Sequence, residues 1–328
     1  MEVVTVDIGG THARFAIAQI ADGRVASLGA VTTLKTGEHA SLQTAWEHYG
    51  SIAARQLPKA AALAFAGPAG GEVLQLTNSH WAVRPALIRE RLGVQCYSLV
   101  NDFEAVAHAV AQAPPSAFEH LCGPDQPMPA QGVISVVGPG TGLGVAMLHR
   151  ISERHYHVIA TEGGHIDFAP LDAFEDQLLA DLRRRMRRVS AERIASGGGL
   201  RPIYEALARI EHRAVEPGDD KALWTAALDG SDSLAVAALD RFCMTLGSLA
   251  GDIALAQGAI APGRSAVVIA GGLGARIAHH LPRSGFAQRF VGKGRFENMM
   301  AAIPVKLIKL DEPGLFGAAA AFAMEHAQ

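Results

Sequence analysis

Three short glycine turns are the first places in this sequence where chemistry could be done. Gly9-Gly10-Thr11, Gly138-Pro139-Gly140-Thr141-Gly142 and Gly271-Gly272 each follow an apolar, β-branched run. Without a Cβ the main chain can bring its amides close to something flat or anionic, and phosphate is the natural guest. Asp7 stands just before the first turn, where a carboxylate could hold a magnesium ion through its water shell. No G-x-x-x-x-G-K-[ST] occurs, and no G-x-G-x-x-G leads from strand into helix. The first two turns lead into another strand, so each taken alone is equally a tight hairpin. Asn101-Asp102 lies where a strand gives way to a helix: a carboxylate there can accept a proton, or either residue can cap the helix. Glu162 and His165 flank Gly163-Gly164. The spacing is that of the Glu-x-x-His of di-iron helices, but two glycines oppose a helix and no second copy exists. A bent loop instead sets carboxylate and imidazole on one side of a flat, polyhydroxyl ligand; the plainer alternative for His165 is a local hydrogen bond, for example to Asp167. Glu192 follows Ser190 by two residues, the wrong spacing for a capping box. Lys293 is either a phosphate ligand or a solvated loop lysine.

The elements that must position these groups alternate. Strands are expected over Val3 to Ile8, Phe15 to Ala18, Val25 to Thr33, Ala61 to Ala66 (ended by Gly67-Pro68) and Gln95 to Val100, with helices over Ser41 to Arg55 and Pro85 to Leu92 and another opening at Asn101-Asp102. The five prolines between Ala113 and Ala130 read as a linker at a domain boundary. Beyond it, Gly132 to Val137, a glycine turn and Val145 to Leu148 repeat the opening pattern. An offset of 130 residues lays Gly10-Thr11 on Gly140-Thr141, which implies two halves built on one β-turn-β design. Asp172 to Arg188 reads as a helix with acids early and five arginines late, as the helix dipole favours, so its basic end is a solvated face and not a nucleic-acid patch. Asp232 to Gln257 reads as a long buried helix, a strand follows over Ala266 to Ala270, and an apolar helix covers Leu315 to Met324.

Composition narrows the class. The 328 residues are 49% hydrophobic and carry a net charge of −3, so no overall field draws nucleic acid or an anionic membrane, and a small-molecule partner is expected. Cys96, Cys122 and Cys243 are scattered, with no C-x-x-C, which suits a reducing cytoplasm. The opening Met1 to Asp7 is acidic and has no signal-like apolar core after it, and no membrane span is expected.

Asp7-Ile8-Gly9-Gly10-Thr11, taken with Gly138-Pro139-Gly140-Thr141-Gly142-Leu143-Gly144, resembles the ATPase superfamily of sugar kinases, actin and heat-shock chaperones. More closely, the chain resembles the bacterial glucokinase family. The matches are Thr77-Asn78-Ser79-His80-Trp81, Val100-Asn101-Asp102-Phe103, Glu162-Gly163-Gly164-His165-Ile166-Asp167-Phe168-Ala169-Pro170, Ser190-Ala191-Glu192-Arg193 and Gly292-Lys293-Gly294-Arg295-Phe296, in family order across nearly the whole chain. The E-G-G-H-x-D-F-A-P block is the most specific of them.

That resemblance implies an α/β, two-domain actin-like ATPase fold with ribonuclease H-like duplicated halves and an interdomain cleft. A small domain would comprise 1–112 plus 313–328, and a large one 113–312. It implies ATP-dependent phosphorylation of D-glucose at the 6-hydroxyl, with ATP and Mg2+. Asp102 would be the general base and Asn101 would bind neighbouring hydroxyls. Glu162, His165 and Glu192 would bind sugar hydroxyls and Asn78 would add a contact at the cleft rim. Gly9, Gly10, Thr11, Gly138, Gly140, Thr141 and Gly142 would surround the phosphates, Gly271 and Gly272 the adenosine, and Asp7 would hold magnesium through water. The cysteine-rich zinc motif of the related repressor and kinase family is missing. Ser196-Gly197-Gly198-Gly199 lacks the proline expected between glycines, and Pro139 is an addition inside the second turn. A homodimer is what the family suggests. A kinase for another hexose and a non-catalytic sugar-sensing protein on the same fold are the alternative readings.

Overall fold

The structure is a computed structural model that describes residues 1–67, 71–76, 80–215 and 218–326. The chain divides into two compact units, Met1–Pro114 with Leu310–Gln328, and Pro115–Lys309.

The strands of the first unit are β1 (Glu2–Ile8), β2 (His12–Ala21), β3 (Arg24–Leu28), β4 (Thr32–Lys35), β5 (Ala60–Phe65), β6 (Leu74–Gln75), β7 (Ala82–Val83) and β8 (Cys96–Asn101). The main sheet runs β3-β2-β1-β5-β8, with β4 also on β2. It is antiparallel from β3 to β1 and parallel from β1 to β8. The single strand expected over Val25 to Thr33 is instead two. The Gly29 amide donates to the Ile17 carbonyl at 2.9 Å, and a Cβ on Gly29 would meet that same oxygen, so the edge bulges there before pairing resumes.

Side-chain alternation assigns the two faces of this sheet. Val4, Val6, Ile8, Ala61, Leu63 and Phe65 belong to one apolar cluster, together with Trp46 and Tyr49 of the helix Leu42–Ala53, whose N-terminus Ser41 closes with a capping box. Val3, Ala60, Ala62 and Ala64 belong to the other, with Ala318, Ala319 and Phe322 of the helix Pro313–His326. Thr5 has the parity of Val3, and its hydroxyl donates to the Leu315 carbonyl at 2.7 Å. Trp81 is buried in the first cluster, as expected of a core residue.

The second unit repeats the order. Its strands are β9 (Phe118–Cys122), β10 (Gly132–Pro139), β11 (Leu143–Arg150), β12 (Tyr156–Thr161), β13 (Ser265–Ile269) and β14 (Val305–Ile308), arranged β12-β11-β10-β13-β14-β9. Again three antiparallel strands continue into parallel ones. β9 is a correction to the expected linker: it pairs antiparallel with β14 at the sheet edge, where flanking prolines cost no ladder bonds. The helix Ser233–Gln257, the one described helix long and apolar enough to cross a membrane, lies in the core of this unit, with Leu239, Phe242 and Leu246 fully buried.

Two further expectations are corrected here. The helix expected to reach Arg188 ends at Arg183, because Arg188 turns back to the Asp167 carboxylate and the His165 carbonyl, both at 2.6 Å. Lys293 is neither a phosphate ligand nor a solvated lysine. Its side chain is 7% exposed and its ammonium sits on the Ser248 carbonyl at 2.8 Å and on Asp252 at 2.7 Å, tying its loop to the central helix.

Where the helix Pro313–His326 crosses the helix Asp102–Gln112, a Cβ on Gly317 would lie 1.7 Å from the Ala105 carbonyl oxygen. Main chain therefore rests on main chain, and Gly317→Ala should destabilise the protein by about 3 kcal/mol, the upper end of the usual overpacking cost. Urea unfolding checks this, and an unchanged midpoint would contradict the close approach. On the helix Asp102–Gln112, burial lowers the His108 imidazole from 6.5 to about 4. The unfolded chain therefore takes up that proton first, and the stability from neutral His108, fully present above about pH 6.5, is lost as pH falls towards 4. Between about pH 7 and pH 5 the wild type should lose about 2 kcal/mol more than His108→Gln, measured by urea titration at both pH values.

Candidate active site

The first glycine turn is a two-residue hairpin. Gly9 donates to the His12 carbonyl at 2.9 Å, leaving Gly10 and Thr11 at the tip. Thr36 braces it, donating from its hydroxyl to the Gly10 carbonyl at 2.8 Å and from its amide to the Thr11 carbonyl at 3.0 Å. The carbonyls are thus engaged, while the Gly10 and Thr11 amides make no hydrogen bond among the described residues.

Counting outwards from Gly10-Thr11 sets Asp7 opposite Arg14, and the ladder has that register. The Arg14 guanidinium donates to Asp7 Oδ2 at 3.1 Å and approaches Glu312 at 3.4 Å. A Cβ on Gly314 would come within 2.8 Å of the Asp7 carboxyl, so this group abuts the first turn of the helix Pro313–His326. Burial pushes the Asp7 carboxyl above its ordinary range, and Arg14 opposes that shift. The arginine that neutralises Asp7 was legible from hairpin register alone, although residue types did not single it out.

Of the two residues at the helix start, Asn101 is the N-cap: its side-chain oxygen accepts from the Phe103 amide at 2.8 Å and from the Glu104 amide at 3.2 Å, and Glu104 returns a bond to the Asn101 amide. Its side-chain nitrogen donates to the Gly67 carbonyl at 2.9 Å. Asp102 is the first helical residue, half-buried, with Oδ1 accepting from its neighbour Phe103 at 2.8 Å. The cap is supplied one residue earlier, so the Asp102 carboxylate is not required for it. Asn78 lies outside the described residues, as do Thr77, Ser79 and Pro68.

In the second unit the bend Gly163–His165 is a single 3-10 turn following Glu162. Glu162 and His165 are both exposed, with Oε2 and Nε2 3.9 Å apart. The local hydrogen bond considered for His165 is not to Asp167, whose carboxylate is taken by Arg188. The bend packs tightly on β11: a Cβ on Gly164 would lie 2.1 Å from the Leu143 carbonyl oxygen. It is also joined to the next segment, with Phe168 donating to the Val189 carbonyl at 3.0 Å and Ala191 to the Ile166 carbonyl at 2.8 Å. This ladder sets Glu192 beside the second glycine turn, where its Oε2 accepts from the Leu143 amide at 3.0 Å.

That second turn, between β10 and β11, mirrors the first. Gly140 donates to the Gly142 carbonyl at 2.9 Å, Gly197 donates to the Gly140 carbonyl at 2.8 Å, and the Thr141 and Gly142 amides have no hydrogen-bond partner among the described residues. Gly138 and Pro139 end β10 and pair with Gly144 and Leu143. The third glycine pair differs: it opens the helix Gly271–Arg276. Gly271 has φ +81°, and a Cβ there would come within 2.8 Å of the Pro139 carbonyl oxygen, so only glycine lets this strand-to-helix turn lie against the end of β10. The second and third turns are therefore neighbours. No group of three or more His, Cys, Asp or Glu able to hold a metal exists among the described residues.

Each unit thus carries a glycine turn whose tip amides have no partner among the described residues; the first adds a carboxylate at a helix start, and the second a bend offering carboxylate and imidazole. The family model of glucokinase matches residues 4–325. The chain is 61% identical over 328 residues to the glucokinase of Zymomonas mobilis subsp. mobilis, covering 100% of this chain and 99% of the other. The crystal structure of a glucokinase from an Antarctic psychrotroph superimposes with a TM-score of 0.85 at 32% identity, covering 98% of each chain. A Balamuthia mandrillaris glucokinase in complex with glucose shares the fold, with a TM-score of 0.78 at 21% identity, over 98% of this chain and 93% of that one. The chain belongs to the glucokinase family.

Proposed function

We propose that this chain transfers the γ-phosphoryl group of ATP to the 6-hydroxyl of D-glucose, with Asp102 as the general base. The observation that carries the role of Asp102 is the arrangement at the helix start. Asn101 supplies the N-cap and Asp102 opens the helix next to it, which fixes a half-buried carboxylate at the first helical position, where it accepts the hydroxyl proton as that oxygen attacks phosphorus. Phosphoryl transfer asks little covalent work of a protein, so the rest is positioning and charge. Glu162 and His165 act on the sugar hydroxyls, as does Glu192; ionised acceptors bond hydroxyls more strongly than neutral ones. Asn101 and Asn78 add contacts to the sugar. The amides at Gly10-Thr11 and Thr141-Gly142 receive phosphate oxygens, with Gly9, Gly138 and Gly140 shaping those turns, and Gly271-Gly272 take the adenosine.

Magnesium, when bound with the nucleotide, offsets phosphate charge. Asp7 is the residue that would hold it. One oxygen of that carboxylate is on Arg14 and no metal-ligating cluster surrounds it among the described residues, which fits an ion carried in by phosphates and touched through water. The repeated sheet order supports the actin-like, ribonuclease H-like duplicated reading of the fold, with 1–112 plus 313–328 as the small domain and 113–312 as the large one. Three cysteines that remain free suit the cytoplasm.

Asp102→Asn should keep glucose binding while kcat falls by about 100- to 10,000-fold, the usual contribution of a positioned base. Near-normal turnover in that variant removes Asp102 from the role. The reaction itself is tested by ADP release with glucose, mannose, fructose and N-acetylglucosamine. Glucose should give the highest kcat/KM. A higher value for another hexose reassigns the substrate, and sugar binding without ADP release makes the protein a sensor.

A further inference from the structure

Leu143 touches both the bend at Gly163–His165 and the second glycine turn. Its carbonyl oxygen faces the Gly164 main chain, with no room for a Cβ between them. Its amide donates to Glu192 Oε2 at 3.0 Å. The same Glu192 oxygen would lie 2.7 Å from a Cβ on Gly142, so the carboxylate rests directly against the turn whose Thr141 and Gly142 amides are open. Glu192 and Thr141 line one cavity, and the Gly197 amide holds the other shoulder of the turn through the Gly140 carbonyl. A carboxylate accepting a backbone amide makes a charge-assisted bond, stronger than a neutral one, and here it fixes the residue at which the turn becomes β11.

We propose that Glu192 is a positioning residue for the phosphate turn: its carboxylate sets the Gly140–Leu143 backbone so that the Thr141 and Gly142 amides are aimed at the nucleotide before any sugar is present. This rests on the reading of the turn as a phosphate site and adds to Glu192 a task that sugar contact does not require.

The test is binding of a non-hydrolysable ATP analogue with magnesium to the full-length protein without sugar, by calorimetry, for wild type, Glu192→Gln and Glu192→Ala. The glutamine keeps a carbonyl oxygen that can accept the Leu143 amide, whereas the alanine does not. Glu192→Ala should bind the analogue about tenfold more weakly, the loss of one charge-assisted hydrogen bond. Glu192→Gln should remain within about threefold of wild type. Amide hydrogen exchange at Leu143 should accelerate in the alanine variant and not in the glutamine one. Wild-type affinity and exchange in Glu192→Ala, with glucose affinity reduced, would overturn the positioning role while leaving Glu192 a sugar contact. No analogue binding by the wild type would instead sink the phosphate-site reading itself. Circular dichroism of each variant separates local loss from unfolding, and a misfolded alanine variant leaves Glu192→Asp, whose shorter reach should also weaken nucleotide binding; wild-type affinity there overturns the proposal.

Discussion

Leu143 is held by its main chain from two directions, by a carboxylate on its amide and by a glycine against its carbonyl. Both contacts need atoms that side chains would displace, and both are made by segments distant in sequence. The consequence is geometric. The bend at Glu162–His165, the segment carrying Glu192 and the turn at Gly140–Gly142 cannot move independently without breaking a hydrogen bond or opening a void, each costing on the order of 1 kcal/mol or more. Arg188 adds a further tie, from the Asp167 carboxylate to the His165 carbonyl. The bend, the Glu192 segment and the glycine turn are thereby held together through the main chain of one residue.

The two sheets have the same order but finish their central hairpins differently. In the first, threonine braces the tip, with Thr36 on the carbonyls of Gly10 and Thr11. In the second, the Gly197 amide donates to the Gly140 carbonyl, while the Glu192 carboxylate accepts from the Leu143 amide. The outcome is alike: carbonyls are consumed and a pair of amides is left open. The electrostatics differ. Beside the first hairpin stands a carboxyl that burial has made reluctant to ionise, against an arginine and the first turn of a helix. The Arg14 guanidinium is shared between the Asp7 and Glu312 carboxyls, so its charge is matched beside the start of that helix.

Much of this was legible in the sequence, and the reasons are specific. Strand parity in Val3 to Ile8 and Ala60 to Phe65 separates two faces, because one side chain in two points each way. The 130-residue repeat marks equivalent hairpins because glycine is the residue a tight turn with open amides tolerates. What was not legible depended on long-range contacts. The bulge at Gly29 arises from a carbonyl on the neighbouring strand. The edge strand Phe118–Cys122 is hidden among prolines that only flank it. The early end of the helix at Arg183 comes from an arginine reaching back more than twenty residues, and the burial of Lys293 from a central helix that supplies Ser248 and Asp252. Residue types announce turns and caps; they do not announce which distant carbonyl or carboxylate will meet them.

The helix Pro313–His326 packs in the unit that β1 begins, with all of the second unit lying between them along the chain. During synthesis on the ribosome the first sheet emerges before the second unit, yet the face with its alanines and Val3 lacks this helix until residues 313–326 have been made. The second unit has every strand of its own sheet in hand before that helix appears. Vectorial synthesis therefore favours completion of the inner segment first, and the small, weakly hydrophobic alanines on the waiting face limit how strongly it would attract other nascent chains in the meantime.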